Sequence, residues 1–429
     1  MRKRATLGLV AAGLAAVGLL SACSTSGGTQ QSGGSGNSKT VVLTEEDYYT
    51  TQPFTKEWNA IFAKFEATHP NIKIKRDATV PQTQYLQQLL NQAGAGSLPD
   101  VVMIDNPYVA QFAKTGILTP LHSIGSVNTS QVASVELSDG EYNGTLYAVP
   151  PYTNTAGLIY NKKMFAAAGI SSPPATWSQL ISDAKKLTNS QHYGFGTYLV
   201  VPDGQAFWSF APFLWSSAGA DATAHIDSSQ AVAALNVLVT MERNGSMPKS
   251  VVDWNADQVD QEFVSGKLAM EENGPWNFTD LKAAKGLQWG TAELPVPKSG
   301  DNLLVPTGGE TWAVPTTDSP AQKQAALTLL NWLLTPAADV VESVDNGLVP
   351  TVKTAVASAI AQEGAPMGAF AKELQSGGTA RTKFTGTQTD AVETAVGNAV
   401  QQAVVGPTTA SQALRNIAAT VSADQKTGT

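Results

Sequence analysis

The hydrophobic period of the chain switches repeatedly between residues 41 and 104, and this switching limits the available folds more than any other feature. Val41-Val42-Leu43 is a short apolar strand that runs into the polar loop Thr44-Glu45-Glu46-Asp47-Tyr48-Tyr49. Trp58, Ile61, Phe62 and Phe65 then recur at i, i+3, i+4 and i+7, which places them on one face of a helix. That helix stops at His69-Pro70, because proline disfavours helical geometry in the residue before it. Ile72-Lys73-Ile74 alternates as a second strand, and 85–93 reads as a second helix closed by Gly94 and Gly96. After Pro99-Asp100, Val101-Val102-Met103-Ile104 is a continuous apolar run suited to a buried parallel strand. Strand, helix, strand, helix, strand predicts an α/β fold on a parallel sheet. Ligands of such sheets gather beyond the carboxyl ends of the strands. The loop 44–49 and the turn Asp105-Asn106-Pro107-Tyr108 are therefore the first places to look for a site.

The N-terminus reads as an address. Met1-Arg2-Lys3-Arg4 precedes an apolar run over residues 5–20, short for a membrane span of about 20 residues and of the form of a secretory signal. It ends in Leu20-Ser21-Ala22-Cys23, with small residues directly before the only cysteine of the chain. This resembles the lipobox of bacterial lipoproteins and implies cleavage after residue 22 and a diacylglyceryl anchor on Cys23. Residues 24–39 hold no hydrophobe and are rich in Gly and Ser, a flexible tether with a reach of roughly 20–24 Å by random-coil scaling. The expected organisation is a signal over 1–22, a linker over 23–39 and a folded body from residue 40.

Composition narrows the function classes. With 429 residues and 42% hydrophobic content, two domains with real cores are expected. Charge is −8, from 27 basic and 35 acidic residues. Removing Arg2, Lys3 and Arg4 leaves 24 basic against 35 acidic, near −11. No strongly basic stretch follows, which argues against a nucleic-acid or polybasic membrane-surface role. One cysteine excludes an internal disulfide, a thiolate cage and a two-cysteine redox pair. His69, His122, His192 and His225 lie far apart, which argues against an imidazole metal site, and no cofactor is expected. Few charges and nine Trp suit a soluble protein with neutral, ring-shaped partners.

Further motifs follow in order. Residues 54–121 contain Pro99-Asp100-Val101-Val102 and Thr115-Gly116-Ile117-Leu118. Then come Gly157-Leu158-Ile159-Tyr160-Asn161-Lys162-Lys163, the Pro-Pro-x-Thr-Trp of 173–177, Asn273-Gly274-Pro275-Trp276 and the Gly-Gly-x-x-Trp of 308–312. Together they resemble the bacterial extracellular solute-binding proteins, in the branch of maltose and multiple-sugar binders that serve ABC importers. The resemblance implies a two-lobed α/β fold with the ligand cleft between lobes. Carried onto this chain, lobe one is 40–151 plus 307–350, and lobe two is 152–306 plus 351–429. Pro150-Pro151 and Val349-Pro350 would lie near the crossings.

A sugar offers an apolar face of C–H groups and a rim of hydroxyls. The first calls for aromatic rings, the second for short polar side chains and carboxylates, whose hydrogen bonds are about twice as strong as neutral ones. On this basis the resemblance implies Glu46 and Asp47 after the first strand, and Asp105, Asn106 and Tyr108 after the third. It further implies Tyr152 and Asn154 near the first crossing, with Asn154 a departure from the acid found in several relatives. Trp208 and Trp276 would be stacking rings, with Asn277 beside the second, and Gly309, Glu310 and Trp312 would line the cleft. The region 390–393 lacks a further stacking Trp that some maltose binders carry.

An enzyme is the competing class, since glycoside hydrolases also pair carboxylates in aromatic clefts, and Glu46 with Glu310 is a conceivable pair. Yet the chain shows no Gly-x-Ser-x-Gly elbow, P-loop or metal-ligand cluster, so a binder rather than an enzyme is expected. The remaining alternative is a binder of peptide, polyamine or glycerol phosphate. A phosphate ligand calls for Arg or Lys, and the named loops contain neither. The expectation is a monomeric receptor on the extracytoplasmic face of the membrane, which takes a neutral mono- or oligosaccharide to the membrane subunits of an ABC permease.

Overall fold

The structure is a computed structural model. It describes residues 39–425 apart from 53, 133, 220–222, 337, 339–346, 353–356, 358–359, 362–363 and 381–388. The expected signal, the expected anchor at Cys23 and the expected linker up to residue 38 lie outside the described residues.

The first five segments form β1 (Val41–Glu46), α1 (Phe54–Thr68), β2 (Ile72–Asp77), α2 (Gln82–Ala95) and β3 (Val101–Asp105). Farther along come β4 (Ala148–Val149), β5 (Gly157–Asn161), β6 (Met270–Asn273), β7 (Trp289–Ala292) and β8 (Glu310–Ala313). β1 pairs in parallel with β2 on one side and β3 on the other. The sheet is not parallel throughout. β8 returns antiparallel to β3, and β4 runs antiparallel to β8, giving the order β2-β1-β3-β8-β4. A second sheet, β7-β5-β6, is antiparallel throughout. α1 buries Trp58, Ile61, Phe62 and Phe65, the stripe seen in the sequence.

The second sheet is covered by α3 (Trp177–Leu187), α4 (Gln205–Ala218), α5 (Ser229–Arg243) and α6 (Ala256–Val264). α3 starts on a capping box: Thr176 accepts from the Gln179 amide, and the Gln179 side chain accepts in return from the Thr176 amide, which satisfies two amides the helix leaves open. α4 is buried on all sides from Gln205 to Trp215, the pattern of a central helix. Each ring it buries contributes about 1.5–3 kcal/mol of transfer free energy. The chain closes with α7 (Pro320–Leu333), α8 (Thr389–Val404) and α9 (Ala410–Gln425).

Two hydrophobic cores result. One gathers Leu43, Trp58, Val101, Val149, Tyr152, Trp312, Leu330 and Leu348. The other gathers Ala156, Phe207, Leu238, Met270, Leu294, Val349, Phe370 and Val400. Membership changes between Tyr152 and Ala156, between Leu304 and Trp312, and between Leu348 and Val349. The chain therefore crosses between lobes at three places. These crossings are joined to one another: Tyr152 and Thr153 pair antiparallel with Pro350 and Val349, and Asn154 and Gly308 exchange two backbone hydrogen bonds of 3.1 and 3.0 Å. The Thr351 hydroxyl adds contacts of 2.8 Å to the carbonyls of both Pro150 and Pro151. Among the described residues no helix is long and apolar enough to cross a membrane.

Candidate functional site

A cavity of about 270 Å³ opens at the seam between the cores. It lies beyond the carboxyl ends of β1 and β3, where Tyr48, Tyr49 and Asp105 reach its wall. Gly309 and Glu310 enter from the start of β8, and Pro81, Gln82 and Thr83 from the start of α2. The other lobe supplies Asn154, Tyr198, Gln205 and Trp208, then Asn255, Ala256 and Asp257 at the start of α6, and Trp276. Trp276 packs against both cores.

Trp208 and Trp276 present a corner of two rings, with centroids 6.5 Å apart and planes at 59°. Two glycines make this corner possible. A Cβ on Gly274 would stand 2.0 Å from the Trp276 ring, and one on Gly308 would stand 2.3 Å from both the Trp208 ring and Asn154 Oδ1. The rings therefore occupy space that any side chain at these two positions would fill.

The polar wall centres on Glu310, which is buried and paired in register with Asp105 across β8 and β3. Its carboxylate accepts hydrogen bonds from the hydroxyls of Tyr48 and Tyr49, the latter at 2.9 Å. Burial pushes the Glu310 carboxyl above its ordinary range and neighbouring Asp105 adds to this, while the tyrosine donors act against both. On the opposite wall, burial and then the charge of Asp280 raise Asp257. Among the described residues no group of three or more His, Cys, Asp or Glu side chains is arranged to hold a metal ion.

Of the residues singled out from the sequence, Asp105, Asn154, Trp208, Trp276, Gly309 and Glu310 come together on this cavity. Seven others stand outside its lining. β1 extends to Glu46 rather than ending at Leu43, so Glu46 lies within the strand and its carboxylate accepts from Gln88 and Gln92 of α2, at 2.8 Å for Gln92. Asp47 is buried against Arg76, whose Nη2 donates at 2.7 Å, and accepts from the Tyr49 amide at 2.8 Å. Asn106 donates to Asp139 at 2.9 Å. The Tyr108 hydroxyl donates to Glu393 of α8 at 2.9 Å. Tyr152 lies behind Tyr49 with hydroxyls 2.5 Å apart. Asn277 is buried in the turn after Trp276. Trp312 is fully buried and stacked 4.8 Å from Trp58.

Sequence reasoning missed Tyr48 and Tyr49, Gln205, Tyr198 and the segment 255–257. The Tyr pair sat in the very loop singled out, displaced toward the cavity by the longer strand. Asn255 had a legible signal, because Asn-x-x-Gln over 255–258 is a capping box that sets a helix start at the cavity wall.

Comparison with known proteins fits this geometry. The family described as bacterial extracellular solute-binding protein matches residues 60–369. A binding protein of Brucella abortus is 27% identical over 271 residues, covering 61% of this chain and 64% of the relative. The match thus spans somewhat less than two thirds of that relative's length. The maltodextrin-binding protein of Bacillus subtilis is 26% identical over 323 residues, 71% of this chain and 70% of the relative. Among solved structures, an ABC transporter solute-binding protein from Thermotoga lettingae bound with α-D-tagatose superimposes with a TM-score of 0.79 at 21% identity, covering 90% of this chain and all of that one. At that identity the likeness shows the fold, two lobes with mixed helix and sheet. Because the family match extends over more than half of its residues, this chain belongs to the bacterial extracellular solute-binding proteins.

Proposed function

We propose that this protein is the carbohydrate receptor of an ABC importer. It is held by a lipid on Cys23 at the extracytoplasmic face of the membrane, binds a saccharide between its lobes and passes it to the permease. One observation carries the reading: a single interlobe cavity joins the Trp208–Trp276 corner to the carboxylates of Asp105, Asp257 and Glu310. Aromatic faces match the C–H side of a sugar ring, and carboxylates match its hydroxyl rim. The sugar-binding relatives support the same class. At about 270 Å³ the cavity lies near the small end of ligand pockets, about 300–1,000 Å³, which suits a small saccharide. The ligand leaves as it arrived, without turnover.

A thermal-shift panel of mono- and disaccharides on the full chain tests this. A ligand that binds only the native state stabilises it by about 2.7 kcal/mol at a hundredfold excess over Kd. At least one small saccharide is expected to raise the melting temperature, and incubation with it should return it chemically unchanged. A panel without any stabilising sugar would remove the reading, and conversion of the sugar at enzymatic rates would replace it with catalysis. For the anchor, Cys23→Ala is expected to release the protein to the medium or stall its processing. Membrane retention of a normally processed variant would count against lipidation.

A further inference from the structure

Glu310 is held by a relay of hydroxyls that leads out of the cavity to a chain crossing. Tyr49 has one hydroxyl proton and gives it to Glu310 Oε2 at 2.9 Å. In the 2.5 Å contact between the Tyr49 and Tyr152 hydroxyls, Tyr152 is then the donor. The order of donation is Tyr152 to Tyr49 to Glu310. Burial holds both phenols well above their ordinary pKa, so both remain donors at neutral pH. The Tyr49 ring is fixed between Phe54, at 5.4 Å and 26°, and Trp58, at 5.6 Å and 12°. Tyr152 stands on the crossing strand paired with Val349 and Pro350. The titratable groups acting on the Glu310 carboxylate are Asp105, Tyr48, Tyr49 and Tyr152.

We propose that Tyr49 is the positioning residue of this cavity: its hydroxyl, relayed from Tyr152 at the crossing, keeps Glu310 charged and fixed as an acceptor for a ligand hydroxyl. The proposal rests on the carbohydrate-receptor reading for the identity of that hydroxyl. Without the Tyr49 donor, Glu310 loses a charge-assisted hydrogen bond to its ionised form and takes up a proton at higher pH. A protonated Glu310 offers the ligand a different pattern of donor and acceptor. The loss of affinity therefore grows as pH falls, which a purely structural role for the ring would not produce.

Tyr49→Phe in the full chain keeps the stacked ring and deletes the hydroxyl. With a saccharide that stabilises the wild type, Kd is expected to weaken roughly five- to tenfold at about pH 8. The ratio of variant to wild-type Kd should widen as pH falls through the titration of Glu310. A ratio that stays constant with pH overturns the proposal and leaves the receptor reading intact. A ligand-free measurement separates the two. In infrared titration of the sugar-free chain, the protonated-carboxyl band abolished by Glu310→Gln should have its midpoint raised in Tyr49→Phe by roughly half a unit or more. An unmoved midpoint overturns the proposal whether or not any sugar binds. A raised midpoint in a chain that binds no sugar supports the relay and removes only the receptor reading. Tyr152→Phe should shift the midpoint in the same direction, because the Tyr152 hydroxyl favours the ionised Glu310 carboxylate directly as well as through Tyr49, and an unmoved midpoint in it overturns the relay if Tyr49→Phe does not fold.

Discussion

Trp276 and Trp312 carry the same ring in opposite environments. Trp312 is fully buried against Trp58, whereas Trp276 is half-buried and faces the cavity. Trp312→Ala is expected to destabilise the fold by about 3–5 kcal/mol, read as a lower denaturant midpoint. Trp276→Ala should lower that midpoint by clearly less, since the ring is only half-buried, and weaken sugar binding about tenfold or more, from a lost aromatic contact of ~0.5–1.5 kcal/mol plus lost apolar area. The reverse pattern in those two titrations would reassign both rings. The sequence could not separate them, because a Trp after a Gly-rich turn carries no sign of depth. Strand alternation does. Glu310 and Trp312 share one face of β8, but Glu310 opens the strand at the rim, and Trp312 lies two residues, or about 7 Å, farther in. The same displacement explains the acidic loop, where a strand longer than expected carried Glu46 inward and brought Tyr48 and Tyr49 to the wall.

At the scale of elements, apolar periodicity was legible and buried polarity was not. α1, β3 and the capped helix α3 follow directly from stripe, run and cap. β6 reads Met-Glu-Glu-Asn and looks like a solvated turn, yet all four residues are buried. Its Glu272 accepts from the Thr197 hydroxyl at 2.9 Å and the Ser209 hydroxyl at 3.1 Å. Burial nevertheless pushes its carboxyl up to about 8, with those two donors acting in the opposite direction. The folded protein thus keeps a proton that the unfolded chain releases near its ordinary value of 4.5. The resulting stability is whole below that value and drains as pH rises toward about 8, by up to about 1.4 kcal/mol per pH unit. Glu373, raised first by its own burial and also by nearby Glu272 among other charges, drains in the same direction. Glu272→Gln cannot ionise, so its denaturant midpoint should fall less than that of the wild type between about pH 5 and pH 8. Equal losses in the two proteins would show that Glu272 is not the group that titrates.

At the scale of the whole molecule, the order of motifs implied two lobes, whereas the antiparallel completion of the first sheet by β8 and β4 escaped notice. Strand direction set by a return from far down the chain leaves no local mark. The interlobe position of the cavity carries its own prediction. Trp208 belongs to one side and Asp105 and Glu310 to the other, with Trp276 packed against both cores at the seam, so Trp208 and the two carboxylates reach one small sugar together only with the lobes shut. A ligand shifts an open–closed equilibrium by its differential affinity for the two states. Small-angle scattering with saturating sugar should therefore give a smaller radius of gyration than the same protein verified sugar-free, and an identical radius would rule out closure. The three crossings hold a last consequence. Strapped together by Tyr152–Thr153 against Val349–Pro350, by Asn154 against Gly308 and by the Thr351 hydroxyl, they cannot flex one at a time. A linkage of that kind couples bending at one crossing to bending at the other two, so the closure expected on ligand binding should move the lobes as two bodies about one shared hinge rather than about three separate ones.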